Sequence, residues 1–249
     1  MLEFAGVGRT FPDGTEALRA VDLTVDRGEF VSVVGPSGCG KSTLLRLASG
    51  LDSATTGETR VGSKRVGYVF QDPTLLPWRT VRRNVELLAE LEHLPKAERR
   101  ARVQEAIALV GLDEFQKHRP RSLSGGMRMR TSLARSLVLQ PDVFLFDEPF
   151  GALDEMTRER LNDELLALFA DRGFAALFIT HSVAEAVFLS TRVVVMSPRP
   201  GRILGDVSVP FGYPREPELR YTEEFGKVAG EVSDLLRDVP ARRPQGPAR

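Results

Sequence analysis

Cysteine is almost missing from this sequence. Cys39 is the only one in 249 residues, which excludes an internal disulfide framework and suits a reducing compartment. Net charge is missing too: 34 basic residues balance 34 acidic ones, so no global field points to nucleic acid or an acidic membrane surface. Long apolar runs are the third absence. FVSVVG, VFLF, AALFIT and VVVM are strand-length, far short of the roughly 18 residues of a membrane-spanning helix. The opening MLEFAGVGRTF lacks a basic stretch leading into an apolar run, so no secretory signal is expected. Taken alone, these absences predict a soluble intracellular protein. The apolar fraction of 42% is ordinary and sufficient for a real core.

Four apolar runs do stand out: Phe30 to Gly35, Val143 to Asp147, Ala175 to His181 and Val193 to Met196. Each is apolar throughout rather than alternating, as expected of strands buried on both faces of a mostly parallel sheet. Helix-like stretches separate them, which is the α/β pattern. The middle differs. From Thr80 to about Leu139 the periodicity is helical, with Val81, Val85 and Leu88 on one stripe. Pro95 opens a second helix, with Val103, Ile107 and Val110 on one face and Gly111 as its cap. The spacing therefore predicts a helical subdomain over 80–139, inserted into an α/β domain over 1–79 and 140–210. Beyond Pro210, Phe225, Val228, Val232, Leu235 and Leu236 predict one amphipathic helix. The closing ARRPQGPAR, within the tail 211–249, reads as disordered.

GPSGCGKST, from Gly35 to Thr43, follows the first apolar strand and opens a helix. It fits the phosphate-loop pattern in its required strand–loop–helix setting. Glycines let successive N–H groups point at a phosphate, and the helix N-terminus adds its positive end. Gly35, Pro36, Ser37, Gly38, Cys39, Gly40, Lys41, Ser42 and Thr43 are thus candidate nucleotide-binding positions. Lys41 reaches the β- and γ-phosphates and the Ser42 hydroxyl ligates Mg²⁺. Cys39 is a small spacer in that loop, where a bulky thiol reagent is expected to block nucleotide binding.

VFLFDEP sets Asp147 and Glu148 at the carboxyl end of a buried strand, where open α/β sheets carry ligand groups. Adjacent acids leaving an apolar strand are costly without a cation or a reacting proton nearby. Asp147 suits Mg²⁺ through water, and Glu148 suits the orientation of attacking water. GYVFQD and LFITHS end further strands at Gln71 and His181, each able to sense a γ-phosphate or position water. Either, taken alone, is more often an ordinary hydrogen-bonding residue than a catalytic one.

RSLSGGMRMR, residues 121–130, puts Ser124, Gly125 and Gly126 at the N-terminus of a helix, with free N–H donors suited to a phosphate. The bare string also fits a glycine turn that caps a helix. Its arginines, Arg121, Arg128 and Arg130, read as a solvated or inter-subunit face.

Phosphate loop, VFQD, LSGGM, VFLFDEP, GALD and ITH, in this order, resemble the nucleotide-binding subunit of an ATP-binding cassette (ABC) transporter from about Leu2 to Leu204. The resemblance implies a RecA-like P-loop NTPase core, an antiparallel β subdomain and an inserted α-helical subdomain, with ATP and Mg²⁺ as ligands. It implies Glu148, His181 and Gln71 as catalytic, and Ser42, Gln71 and Asp147 around the metal. It also implies Phe11 as the aromatic on adenine (equally a core residue), and Asp154 as the acid of the dimer loop. Ser124, Gly125 and Gly126 would close over ATP held by a second copy of the chain. Two departures are visible: Met127 stands where glutamine is commonest, and the stretch from Gly50 to Gly67 is shorter than usual.

PTLLPWRTV places Leu75, Leu76, Pro77 and Trp78 at the entrance to the helical insert. An apolar cluster with tryptophan is either core or docking surface; the resemblance implies docking of an integral-membrane permease. A periplasmic or lipid-anchored solute-binding protein would then act indirectly, with no nucleic acid, at the cytoplasmic face of the membrane. DPTLLPWRTVRRNV, DEPFGALDEMTRERLNDELL and THSVAEAVFLSTRVVVMSPRPGRI are similar to importer ATPases for nitrate, sulfonate, taurine, bicarbonate and thiamine-pyrimidine precursors. The LDEMTRERLN wording leans to hydroxymethylpyrimidine-like solutes. The competing class is a non-transport ABC ATPase of DNA repair, chromosome structure or translation; a plain phosphate-loop kinase or GTPase leaves LSGGM unexplained.

Overall fold

A computed structural model describes residues 1–151 and 153–237. The expected disorder of ARRPQGPAR lies outside the described residues. The chain runs β1 (Leu2–Thr10), β2 (Glu16–Val25), β3 (Phe30–Val34), α1 (Lys41–Ala48), β4 (Thr56–Val61), β5 (Val66–Val69), α2 (Val81–Leu91), α3 (Lys96–Leu109) and α4 (Gly125–Leu137). It continues through β6 (Val143–Asp147), α5 (Glu155–Arg172), β7 (Ala175–Ile179), α6 (Val183–Leu189), β8 (Arg192–Met196), β9 (Ile203–Ser208) and α7 (Glu223–Arg237).

Two sheets form. A six-stranded sheet has the order β5-β6-β7-β3-β8-β9, parallel except for the β8–β9 pair. A three-stranded antiparallel sheet has the order β2-β1-β4. The short stretch after Gly50 supplies a single strand, β4, to the latter.

The unbroken apolar runs are explained by what covers each face. In β6, Phe144 and Phe146 join the core beneath the helical elements, while Val143 and Leu145 join the core shared with α1, β1 and β2. Val193 and Val195 of β8 divide from Val194 and Met196 in the same way. Side chains alternate along a strand, so two buried faces demand apolar residues at every position. The aromatics in the first core touch in sequence, with Phe144–Phe146 centroids at 5.3 Å and Phe30–Phe169 edge-on at 5.3 Å.

The helices α2, α3 and α4 fall between β5 and β6, as the periodicity predicts, and no strand interrupts 80–139 among the described residues. Val81 and Val85 are buried, and Leu88 packs at the edge of the core. Pro95 caps α3 and Gly111 turns left-handed after it, φ 63°. Two expected strand ends move: β5 stops at Val69 and β7 at Ile179, leaving Gln71 and His181 in the loops beyond. The C-terminal helix α7 buries Phe225 and Val232.

The segment 211–221 grips the end of α6. A helix leaves its last four carbonyls without helical partners. Here Arg215 donates to the carbonyls of Val187 at 3.0 Å, Phe188 at 2.7 Å and Ser190 at 2.9 Å, and the Tyr213 hydroxyl donates to Leu189 at 2.7 Å. Arg215 is buried and lies over the Tyr213 ring at 4.3 Å. Burial lowers its pKa, a cost that the carbonyl dipoles offset.

Candidate functional site

The loop from Gly35 to Gly40 leaves β3 and enters α1 because glycine stands where nothing larger fits. Gly38 and Gly40 take positive φ, 73° and 107°. A Cβ on Gly40 would meet Leu18 Cδ2 at 2.7 Å and the Ala17 carbonyl at 2.8 Å. Lys41 is buried and its Nζ donates to the carbonyls of Gly35 at 2.9 Å and Pro36 at 3.1 Å, tying the loop's first residues to the helix. Beside it opens a cavity of about 210 Å³ lined by Ser37, Gly38, Gly40, Lys41, Ser42, Thr43, Glu148, Phe11 and Arg199. A larger hollow of about 370 Å³ lies at the other end of the parallel strands, beside Arg65 and Asp142. No phosphate loop opens onto it.

Cys39 requires a correction. Its thiol is 1% exposed and belongs to the core shared with α1, so only its backbone faces the loop. Burial raises the thiol's pKa, with the Lys41 charge opposing. The folded chain is therefore expected to shield it from a thiol reagent.

The acidic strand end closes on this loop. Ser42 Oγ donates to Asp147 Oδ1 at 2.9 Å, and the Tyr68 hydroxyl lies 3.4 Å from Asp147 Oδ2. Burial raises the pKa of Asp147, and the neighbouring Glu148 charge pushes the same way against the Ser42 hydrogen bond. A half-buried carboxylate and a hydroxyl in contact, beside a phosphate loop, are the oxygen donors that Mg²⁺ takes. Glu148 follows with φ 44°, a left-handed backbone that costs a glutamate about 1–3 kcal/mol. Its amide donates to the Ile179 carbonyl at 3.0 Å, anchoring the turn to β7. Its Oε2 lies 3.5 Å from His181 Nδ1, which joins the two motifs. Gly151 packs beneath both, since a Cβ there would sit 3.5 Å from His181 Cε1 and 3.7 Å from Glu148 Oε2. Phe11 is half-buried at the cavity's edge, with the Arg9 guanidinium over its ring at 5.0 Å.

Other expected residues stand apart. Gln71 is exposed, and among the described residues no hydrogen bond joins it to Ser42, Asp147 or Glu148. Ser124, Gly125 and Gly126 begin α4, and none of them lines the cavity. Instead α4 and α5, which Asp154 heads, begin with the same local device. Ser124 caps α4 by accepting from the Met127 amide at 3.2 Å, and Arg128 reaches back to the Leu123 carbonyl at 2.9 Å. Asp154 caps α5 by accepting from the Thr157 amide at 3.0 Å, and Arg158 reaches back to the Leu153 carbonyl at 3.0 Å. The capping bonds satisfy helix-end donors. The two N-termini touch: a Cβ on Gly126 would meet Thr157 Cγ2 at 2.8 Å, one on Gly125 Leu153 Cδ2 at 3.5 Å. Gly126 is therefore a packing requirement within this chain, whereas Gly125 is not.

Of the arginines of this stretch, Arg121 and Arg128 are exposed, as a solvated or inter-subunit face expects, and Arg130 is half-buried. Arg128 holds the loop, and Arg130, 11% exposed, pairs with Glu164 at 2.9 Å. Met127 supplies the capped amide, and its side chain packs on the main core.

Residues missed by sequence reasoning hold the Leu75–Trp78 loop. Buried Asn84 accepts from the Leu76 amide at 2.8 Å and donates to the carbonyls of Leu76, Arg79 and Thr80. Buried Arg135 of α4 donates to the carbonyls of Pro73 and Thr74, each at 3.0 Å. Trp78 is left 69% exposed, so it is not subdomain core. Tyr68 and Arg199 also escaped notice; the Pro- and Gly-rich turn SPRPGR after an apolar strand was the available signal for Arg199.

The comparisons agree with this geometry. The family profile described as ABC transporter matches residues 18–151. A nitrate import ATP-binding protein of Synechococcus elongatus is 44% identical over 249 residues, covering 94% of this chain and 91% of that protein. A taurine import ATP-binding protein of Roseobacter denitrificans is 40% identical over 238 residues, covering 91% and 89%. Among solved structures, a dimeric post-hydrolysis state of an ATP-binding cassette bound to ADP and Pi superposes with TM-score 0.76 at 31% identity. It covers 85% of this chain and 100% of that one.

Proposed function

The chain belongs to the ABC transporter ATP-binding family, and from that premise we propose how its residues divide the work. It is the ATP-hydrolysing subunit of an importer, and it associates with a membrane through its partners. Similar relatives are named import ATP-binding proteins, which favours transport over DNA repair or translation. The reading rests above all on the Ser42–Asp147 hydrogen bond of 2.9 Å, which shuts the phosphate loop against the acidic strand end.

In this reading ATP lies along Gly35–Thr43 with its base toward Phe11. Lys41 exchanges loop carbonyls for phosphate oxygens. Mg²⁺ would neutralise charge building on the transferred phosphoryl group, and Ser42 and Asp147 would hold it. Glu148 orients the attacking water and accepts its proton, and His181 keeps that carboxylate in place. Gln71, exposed in the loop beyond β5, would help hold Mg²⁺ and the attacking water once it turns toward Ser42 and Asp147. The core is assigned to 1–79 and 140–210, and α7 is assigned to packing on its own subunit.

Ser124, Gly125 and Gly126 head α4 and Asp154 heads the neighbouring α5, all outside their own phosphate-loop cavity, with Gly126 buried between the two helices. They would complete the site of a second copy, head to tail, so that γ-phosphate biases a two-state interface. Permease subunits would dock at exposed Trp78, whose loop Arg135 ties to α4. Among the described residues no helix is long and apolar enough to cross a membrane; the proposed transport path belongs to the permease. A solute-binding protein acts indirectly, and the chain works at the cytoplasmic face. The proposed solute is a small ion of the nitrate or taurine kind, in preference to a hydroxymethylpyrimidine-like heterocycle, because those solutes are in the relatives' names.

The test is Glu148→Gln. With ATP and Mg²⁺ it should elute from gel filtration as a stable nucleotide-loaded dimer with hydrolysis abolished. A monomer under those conditions defeats the shared-interface reading.

A further inference from the structure

The turn between β8 and β9, residues 197–202, is pressed onto the outer side of the phosphate loop. Gly201 lies so close that a Cβ there would meet the Cys39 carbonyl at 2.1 Å and Met196 Cε at 2.7 Å. Its amide donates to the Ala17 carbonyl at 2.8 Å, and its own carbonyl accepts from the Arg19 amide at 3.0 Å. Ser197 ties the turn internally: its hydroxyl donates toward the carbonyls of Pro198 at 2.9 Å and Pro200 at 3.1 Å, and accepts from the Arg202 amide at 3.0 Å. The turn is therefore fixed by its backbone, while the side chain carried at its tip is exposed. That side chain is Arg199. Its Nε donates to the Gly38 carbonyl at 3.2 Å, and its guanidinium lines the same cavity as Lys41 and Phe11. Among the described residues no carboxylate lies within ion-pair distance of it. Nearly every other arginine with an ordered partner here is spent on a carboxylate or on backbone carbonyls. Arg199 spends only Nε, so both terminal amino groups of the fork remain for a ligand.

We propose that Arg199 is a second nucleotide-binding cation, gripping the phosphate chain of bound ATP or ADP from the side opposite the Ser42–Asp147 pair. Its permanent positive charge, with both terminal amino groups uncommitted, suits phosphate oxygens. Lys41 supplies the charge that follows the reacting phosphate. Arg199, fixed to the loop's outer side, supplies charge common to triphosphate and diphosphate. The proposal rests on reading Gly35–Thr43 as a nucleotide loop, so its experiment carries a separate check on that reading.

Equilibrium binding of a fluorescent ATP analogue, and its displacement by ATP, ADP and adenosine, is measured for wild type, Arg199→Ala, Arg199→Lys and Lys41→Ala. Arg199→Ala should weaken ATP and ADP alike by about tenfold, which corresponds to roughly 1.4 kcal/mol, and leave adenosine unchanged. Arg199→Lys should recover most of that loss, because the charge returns while the Nε–Gly38 bond does not. Unchanged ATP affinity in Arg199→Ala, with Lys41→Ala losing binding, overturns the proposal alone. Equal losses in the Ala and Lys variants also overturn it, since loop anchoring and not charge would then be at work. Retained binding in Lys41→Ala sinks the nucleotide-loop reading itself.

Discussion

Gly126→Ala puts the packing of the α4 N-terminus against α5 to a direct test. The added methyl would sit 2.8 Å from Thr157 Cγ2, well inside ordinary carbon–carbon contact. Relieving such an overlap between two helix N-termini costs about 1–3 kcal/mol. Alanine returns up to about 1 kcal/mol of helix propensity relative to glycine. The steric term wins, leaving a net loss of roughly 1–2 kcal/mol, or about 2–8 °C in melting temperature for a chain of this size. Differential scanning calorimetry of the nucleotide-free monomer reads it. Thr157→Ser removes the offending methyl and keeps the hydroxyl, so the double variant should recover most of the loss, with coupling above about 0.5 kcal/mol. Gly125→Ala is the contrast. Its methyl would meet Leu153 Cδ2 at 3.5 Å, an ordinary contact, so melting should hold while ATP hydrolysis falls. A Gly126→Ala chain as stable as wild type, or one that Thr157→Ser does not relieve, refutes the packing argument.

Two further outcomes follow from buried groups. Arg215→Met strips donors from the carbonyls of Val187, Phe188 and Ser190 at once, so the urea midpoint should fall by the equivalent of at least about 3 kcal/mol; an unchanged midpoint would deny α6 its cap. Cys39 should resist thiol labelling in the folded chain and react fully in urea. Because burial lifts its pKa above the ordinary 9.0, the protonated thiol's stabilisation is complete below that value and is lost as pH rises through the higher folded one. Rapid native labelling at pH 8 would show that the loop opens, contrary to its packing.

The linear order of residues was enough for the chemistry and the layers. A phosphate loop needs its glycines at short fixed spacing, an acid pair that meets that loop needs the end of its strand, and strands buried on both faces need apolar residues throughout. All three are local demands, written in adjacent letters. The helical insert was readable for the same reason, since its periodicity lies within single helices. What adjacency does not carry is which distant backbone comes near. The stop of β5 at Val69 and the exposure of Gln71 depend on where β6 ends its pairing. Cys39 sits in the phosphate-loop motif, yet its thiol turns away, because the core beneath α1 has room for a small apolar group and the cavity side does not need one. The arginines show it most plainly. Arg130, Arg135, Arg199 and Arg215 are indistinguishable as letters; one meets Glu164, one the Thr74 carbonyl, one Gly38 and one the end of α6. A long cation takes its role from whatever acceptor the fold brings within reach. Sequence alone therefore determined the cassette and its reaction, while the close approach of Gly126 to Thr157 and of Arg199 to the phosphate loop was decided only when the chain packed.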